Sequence, residues 1–144
     1  IQKVGRSDLF DSTNFCSGRG FGSSNLYAAG YYSLGKKHID AYMDKVRLIA
    51  ENCDDLQGFI IYQATGGGTG SGFSALVLER LREQFEKTLN VTMTVFTDGT
   101  RNVSDAVVEP YNTLLWCQRT LETVDATMVF DNTQVDKLCS KLLS

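Results

Sequence analysis

Between positions 66 and 72 the chain reads "GGGTGSG", five glycines with one threonine and one serine. Before it lies "QGFIIYQA" (57–64), a short apolar run rich in Ile and aromatics. After it Phe73, Leu76, Val77 and Leu81 recur at helical spacing. A glycine loop between a strand and a helix is suited to holding an anion. Without side chains its backbone N–H groups can approach closely. The helix start adds unpaired donors and the positive end of a dipole. Thr69 and Ser71 supply hydroxyls. The expected chemistry is a phosphate cradle. It is not a Walker loop, because no Lys follows the glycines. A dinucleotide fingerprint also fails, because no acidic residue closes the next strand. The plain alternative is a tight turn with close helix–sheet packing, but five glycines in seven residues at such a junction favour the cradle.

Other polar groups fall where they can converge on the same edge. Asp98, Thr100, Ser104 and Asp105 follow the second expected strand, and Glu109 follows them. Glu109 has two readings, an acceptor for ribose hydroxyls or a charge favouring a helix start. Asn132 stands just beyond the third strand, as a reader of base or ribose, as a helix N-cap, or as both. Ser23, Ser24 and Asn25, in "GRGFGSSNLYAAG", form a second glycine-rich loop before a helix and a second candidate phosphate contact. The lone His38 falls on the polar side of a helix over 36–52 and is expected to be solvated. With one His there is no Ser/His/Asp or Cys/His arrangement.

These groups need a frame. Ile39, Tyr42, Met43, Val46 and Ile49 form an amphipathic stripe leading into the first strand. "NVTMTVF" (90–96) alternates as a strand, Pro110 suits the first turn of a helix beginning near Glu109, "ATMVF" (126–130) is a third strand, and "NTQVDKLCSKLL" closes as a helix. Helices alternating with strands predict an α/β fold, a Rossmann-like parallel sheet with helices on both faces. No repeat, low-complexity tract or linker interrupts the 144 residues, which read as one domain. Hydrophobic residues make up 42% and the net charge is −3 without a basic block, so no nucleic-acid partner is expected. No apolar run has membrane-spanning length, and no membrane partner is expected. Cys16, Cys53, Cys117 and Cys139 are far apart and read as reduced, mostly buried thiols; no metal-ligand spacing occurs.

The motifs "GGGTGSG" (66–72), "VVEPYN" (107–112), "DN" (131–132), "LQGF" (56–59) and "NLYAAGYYSLG" (25–35) together resemble the tubulin family, in its order and over essentially the whole chain. The resemblance is closer to eukaryotic-type tubulins than to bacterial FtsZ. It implies a GTP-binding cytoskeletal subunit that polymerises head to tail with other tubulin subunits, as a longitudinal heterodimer or polymer. GTP would lie at the longitudinal interface, in cytoplasmic microtubules. It further implies that Gly67, Gly68, Thr69 and Gly70 hold phosphates and that Asn25 reaches the terminal one. Asp105 and Glu109 would lie by the ribose, and Asn132 at the guanine or ribose. The implied cofactors are GTP or GDP, with Mg2+ accompanying GTP through a family ligand outside this chain.

Several positions depart from the family pattern. Leu26 replaces its second Asn and Ala64 a Ser, while the 97–102 loop "TDGTRN" is longer and lacks the customary prolines. The first residue is Ile, and the family's first strand and its phosphate loop are expected to precede it. Residues 1–144 are thus expected to be part of a nucleotide-binding domain. The residue that promotes hydrolysis in the family comes from a neighbouring subunit's activation domain, so this chain alone is not expected to hydrolyse GTP. The alternative is a truncated or degenerate tubulin-like structural protein with weak or no nucleotide binding. A Rossmann-type oxidoreductase is disfavoured because the acidic ribose reader is missing.

Overall fold

The computed structural model describes residues 14–16, 22–96 and 107–143. After a turn at 23–26 the chain is helical from 27. It runs through a π-helical turn, Ala29–Ser33, into α1, Leu34–Glu51. Strand β1, Gly58–Ala64, leads through the glycines to a second π-helical turn, Thr69–Phe73, and α2, Ser74–Gln84. Then follow β2, Leu89–Phe96; α3, Glu109–Thr120; β3, Ala126–Asp131; and α4, Asn132–Leu143. The strands pair in the order β1-β2-β3, and both pairings are parallel. The expected Rossmann-like α/β fold is therefore present.

Helix α2 is the centre of the core, with Ala75, Leu76, Val77, Leu78 and Leu81 all buried. Ile39 and Met43 of α1 close over it from one side, and Trp116 of α3 joins the same cluster. Aromatic edges lock this layer to the sheet. Phe59 meets Phe85 with ring centres 5.2 Å apart, and Phe96 meets Trp116 at 6.0 Å.

The sheet inverts the usual reading of alternation. Val91, Met93 and Val95 are only partly buried, whereas Asn90, Thr92 and Thr94 are fully buried on the opposite face. Those polar groups are largely paired. Thr92 and Thr127 share a hydrogen bond of 3.0 Å, and Asn90 Nδ2 donates to Thr123 O at 3.2 Å. The other face presents Ile60, Tyr62, Met128 and Phe130, all exposed among the described residues. A parallel sheet normally buries both faces. The helices packed in this core occupy the threonine-bearing one.

Three local expectations change. The stretch 27–30, the end of the expected glycine-rich loop "GRGFGSSNLYAAG", is helical. Glycines at 30 and 35 and the wider π turn hide its period. Three cysteines, Cys16, Cys53 and Cys139, are exposed and Cys117 is partly buried, so the thiols are not mostly interior. Cys53 lies just past α1, where its thiol donates to Ile49 O, and Cys139 lies on α4, whose described side chains are mostly exposed. His38 is half-buried with its Nε2 enclosed, not solvated. It lines a cavity with Phe15, Leu34, Tyr42 and Phe73.

Candidate functional site

The glycine loop leaves the carboxyl end of β1, the edge at which ligands of open α/β sheets bind. Its helix begins where Ser71 N–H donates to Gly67 O at 3.0 Å, and no side chain caps that first turn. Uncapped N–H groups at such a start are donors looking for an acceptor.

The glycines divide by what surrounds them. A β-carbon on Gly68 would lie 2.6 Å from Leu26 N, and one on Gly72 would lie 2.8 Å from Tyr31 N. On Gly70 it would run into Ala64 O, and on Gly30 into Gly68 O. At Gly30, Gly68 and Gly72 two backbones, the loop and the 26–33 segment, touch without side chains between them, while Gly70 packs on the end of β1. Gly67 differs. Its β-carbon would meet only Asn25 Oδ1, at 3.8 Å, among the described residues. Among the described residues, open space in the loop is therefore concentrated at Gly67, facing Asn25.

The hydroxyls also divide. Ser71 is fully buried and donates to Gly67 O at 2.6 Å, so it braces the loop from within. It does not join the open side expected from its sequence position. Thr69 is exposed, and its Oγ1 meets Ser23 Oγ at 3.0 Å, joining the two glycine-rich segments. In the second segment, Leu26 N–H donates to Ser23 O at 2.9 Å while Ser24 and Asn25 have φ of 49° and 56°. This is the pattern of a type I′ turn. Left-handed conformations at non-glycine residues cost on the order of 1–3 kcal/mol each and persist where surrounding contacts enforce them.

The contact that enforces this one is Asn112, which is buried on α3. Its Nδ2 donates to Asn25 O at 2.7 Å and to Gly66 O at 2.8 Å, while its Oδ1 accepts from Tyr27 N–H at 2.9 Å. Asn112 closes the "VVEPYN" motif and lies one helical turn after Glu109, on the same side of α3, but the sequence alone assigns it no role. Glu109 reaches the loop too. Its Oε1 lies against Gly66, where a β-carbon would collide with it. Thr113 adds a hydroxyl contact to Thr65 of 2.9 Å.

Asn25, Gly67, Gly68, Thr69, Gly70 and Glu109 thus come together at one edge. Asn132 stands at the end of β3, two strands away, roughly 10 Å by strand spacing. The cap of α4 is Asp131, whose Oδ1 accepts from Thr133 N–H at 2.8 Å, so Asn132 does not serve as the cap. Its exposed side chain remains available at the sheet edge. Asp105, with Asp98, Thr100 and Ser104, lies outside the described residues.

Beneath the loop the 27–33 segment is fastened by charge and aromatic contacts. The Tyr31 hydroxyl donates to Glu79, Arg119 pairs with Glu79 at 3.4 Å, and the Arg119 guanidinium lies 5.4 Å from the Tyr31 ring centre. Burial pushes the Tyr27 phenol up to about 12 despite the opposing charge of Arg119, so it stays neutral at ordinary pH.

The Tubulin/FtsZ family, GTPase domain, matches residues 1–140. The chain belongs to this family. Relatives include the tubulin alpha-2 chain of Schizosaccharomyces pombe, 42% identical over 94% of this chain and 30% of the relative. The tubulin alpha chain of Colletotrichum orbiculare is 41% identical over 99% of this chain and 31% of its own length. The tubulin alpha-8 chain of Caenorhabditis elegans is 43% identical over 84% and 26%. The chain therefore spans less than a third of these relatives. Among the described residues, no group of three His, Cys, Asp or Glu side chains could hold a metal. No described helix is long and apolar enough to cross a membrane.

Proposed function

We propose that this tubulin-family chain supplies part of the GTP-binding surface of a cytoskeletal subunit. The observation that carries this reading is the open space at Gly67 among the described residues. It lies at an uncapped helix start, opposite Asn25, with Glu109 beside Gly66. The donors there suit the phosphates of GTP or GDP. N–H groups of Gly67, Gly68, Thr69 and Gly70 would face the anion, with Asn25 toward its terminal end. Glu109, an acceptor, is suited to ribose hydroxyls rather than to phosphate, and its position at the near end of the loop allows that division. Asp105 would join it at the ribose, and Asn132 would meet the base or ribose at the far strand.

Bound nucleotide would bring its own charge, and Mg2+ would accompany the phosphates. Binding at a subunit's exposed sheet edge fits a head-to-tail polymer with nucleotide at the longitudinal interface. Such a heterologous contact does not close and so builds filaments. Partner subunits of tubulin type, a microtubule setting in the cytoplasm and hydrolysis completed only between subunits belong to this proposal, as does the assignment of residues 1–144 to part of a nucleotide-binding domain.

A second reading, a structural relative with weak or absent nucleotide binding, is favoured by one observation. Leu26, where the family has its second Asn, is 46% exposed and adds an apolar side chain beside Asn25. The test is the nucleotide content of the full-length natural protein, purified gently and denatured, with released nucleotides separated. Stoichiometric GTP or GDP is expected. An empty protein that also fails to take up added GTP would overturn the proposal and leave the structural reading.

A further inference from the structure

We propose that Asn112 is the positioning residue of the cradle. Its one amide sets the separation between the Asn25 turn and the glycine loop that a nucleotide's phosphates require. The inference rests on the nucleotide reading above and assigns the group that governs it.

A side-chain amide has two N–H donors and one carbonyl acceptor. In Asn112 each is used, and each on a different segment: Asn25 O at 2.7 Å, Gly66 O at 2.8 Å and Tyr27 N–H at 2.9 Å. These partners include the second central residue of the left-handed turn, the first residue of the glycine loop and the start of the 27–33 helical segment. Asn112 is 2% exposed, so water does not compete for these bonds. Its own backbone N–H donates to Val108 O at 3.1 Å, in the first turn of α3, the turn that carries Glu109. The amide thereby ties the proposed ribose acceptor and both proposed phosphate segments to one helix end.

No other side chain can replace it. Aspartate keeps the shape and the acceptor but has no donor for two carbonyls. Glutamine is a methylene too long for a buried site, and serine cannot reach three groups. Asn112 itself is enclosed and is not assigned contact with nucleotide; it acts through Asn25 and Gly66.

The test measures GTP affinity and release rate on the full-length natural protein, together with the thermal midpoint, for wild type, Asn112→Asp and Trp116→Phe. Trp116 is buried on the same helix, one turn beyond Asn112, and packs on Phe96. Its replacement reports what loss of stability alone does. All binding is measured well below every midpoint. Asn112→Asp is expected to weaken GTP binding by about tenfold or more, mainly through faster release. Trp116→Phe is expected to lower the midpoint while leaving affinity within about twofold. Equal GTP affinity for Asn112→Asp and wild type would overturn the proposal, and so would a loss matched by Trp116→Phe. If Asn112→Asp does not fold, Asn112→Ser is measured in the same way, without the carboxylate facing two carbonyls. Failure of both to fold makes the amide a determinant of folding and sinks the positioning role. Absence of GTP binding by wild type is a different result and overturns the nucleotide reading itself.

Discussion

A methyl group on Gly67 would meet only Asn25 Oδ1, at 3.8 Å, among the described residues, whereas on Gly68 it would press on the Leu26 backbone. Neighbouring glycines therefore answer different questions. Gly67→Ala is expected to leave the fold intact or raise stability by about 0.4–1 kcal/mol, because it restricts the unfolded chain. It places a methyl in the space proposed for phosphate, so GTP affinity is expected to fall about tenfold. Gly68→Ala is expected to cost about 1–3 kcal/mol through overpacking. Thermal melts and GTP titrations of the two variants separate these effects, and unchanged binding by Gly67→Ala would remove the phosphates from this position. In sequence the glycines look alike. Their density marks a close approach, but not whether a ligand or another backbone approaches. Asn112 was harder to read. Its importance depends on three backbone groups from distant segments arriving at one point, and residue type alone carries no trace of that.

Elements were legible wherever one period governed them. β1, α3 and β3 begin within a residue or so of where alternation, Pro110 and flanking polar residues place them. The helical start at 27 was not, because glycine removes the apolar marks and a π turn departs from the 3.6-residue spacing. β2 was legible as a strand but not in its facing. The Asn90, Thr92 and Thr94 side is held largely by hydrogen bonds under helices, an arrangement that alternation alone assigns to solvent. At the start of this strand pair, Asp125 accepts from Asn90 N–H at 2.7 Å and from Arg82 Nη2 at 2.8 Å. These bonds hold its carboxyl below its ordinary value of 3.8, the Asn90 bond foremost. A lowered folded value means the unfolded chain takes up the proton first. The stabilisation is thus complete above the ordinary value and is lost as pH falls through the folded one. Asp125→Asn is expected to flatten that acid limb in pH-dependent melts. An unchanged limb would show that Asp125 is not its source.

At the scale of the molecule, the exposed face bearing Ile60, Tyr62, Met128 and Phe130 governs how the 144-residue chain behaves when produced by itself. An apolar patch of this kind promotes association. Tyr62, 73% exposed, is the most accessible of the four. Tyr62→Lys is expected to reduce binding of a hydrophobic dye and light scattering while leaving the thermal midpoint nearly unchanged. A lowered midpoint would mean that the residue already packs within the fold. The glycine contact between the loop and the 27–33 segment has a mechanical consequence. Side chains between packed elements can change rotamer and absorb a displacement, but bare backbones in contact have no such slack. The segment continues into α1, 18 residues and about 27 Å long. Force applied along that rod arrives at Gly68 and Gly72 undamped, and the loop must move with the helix or the contact must part.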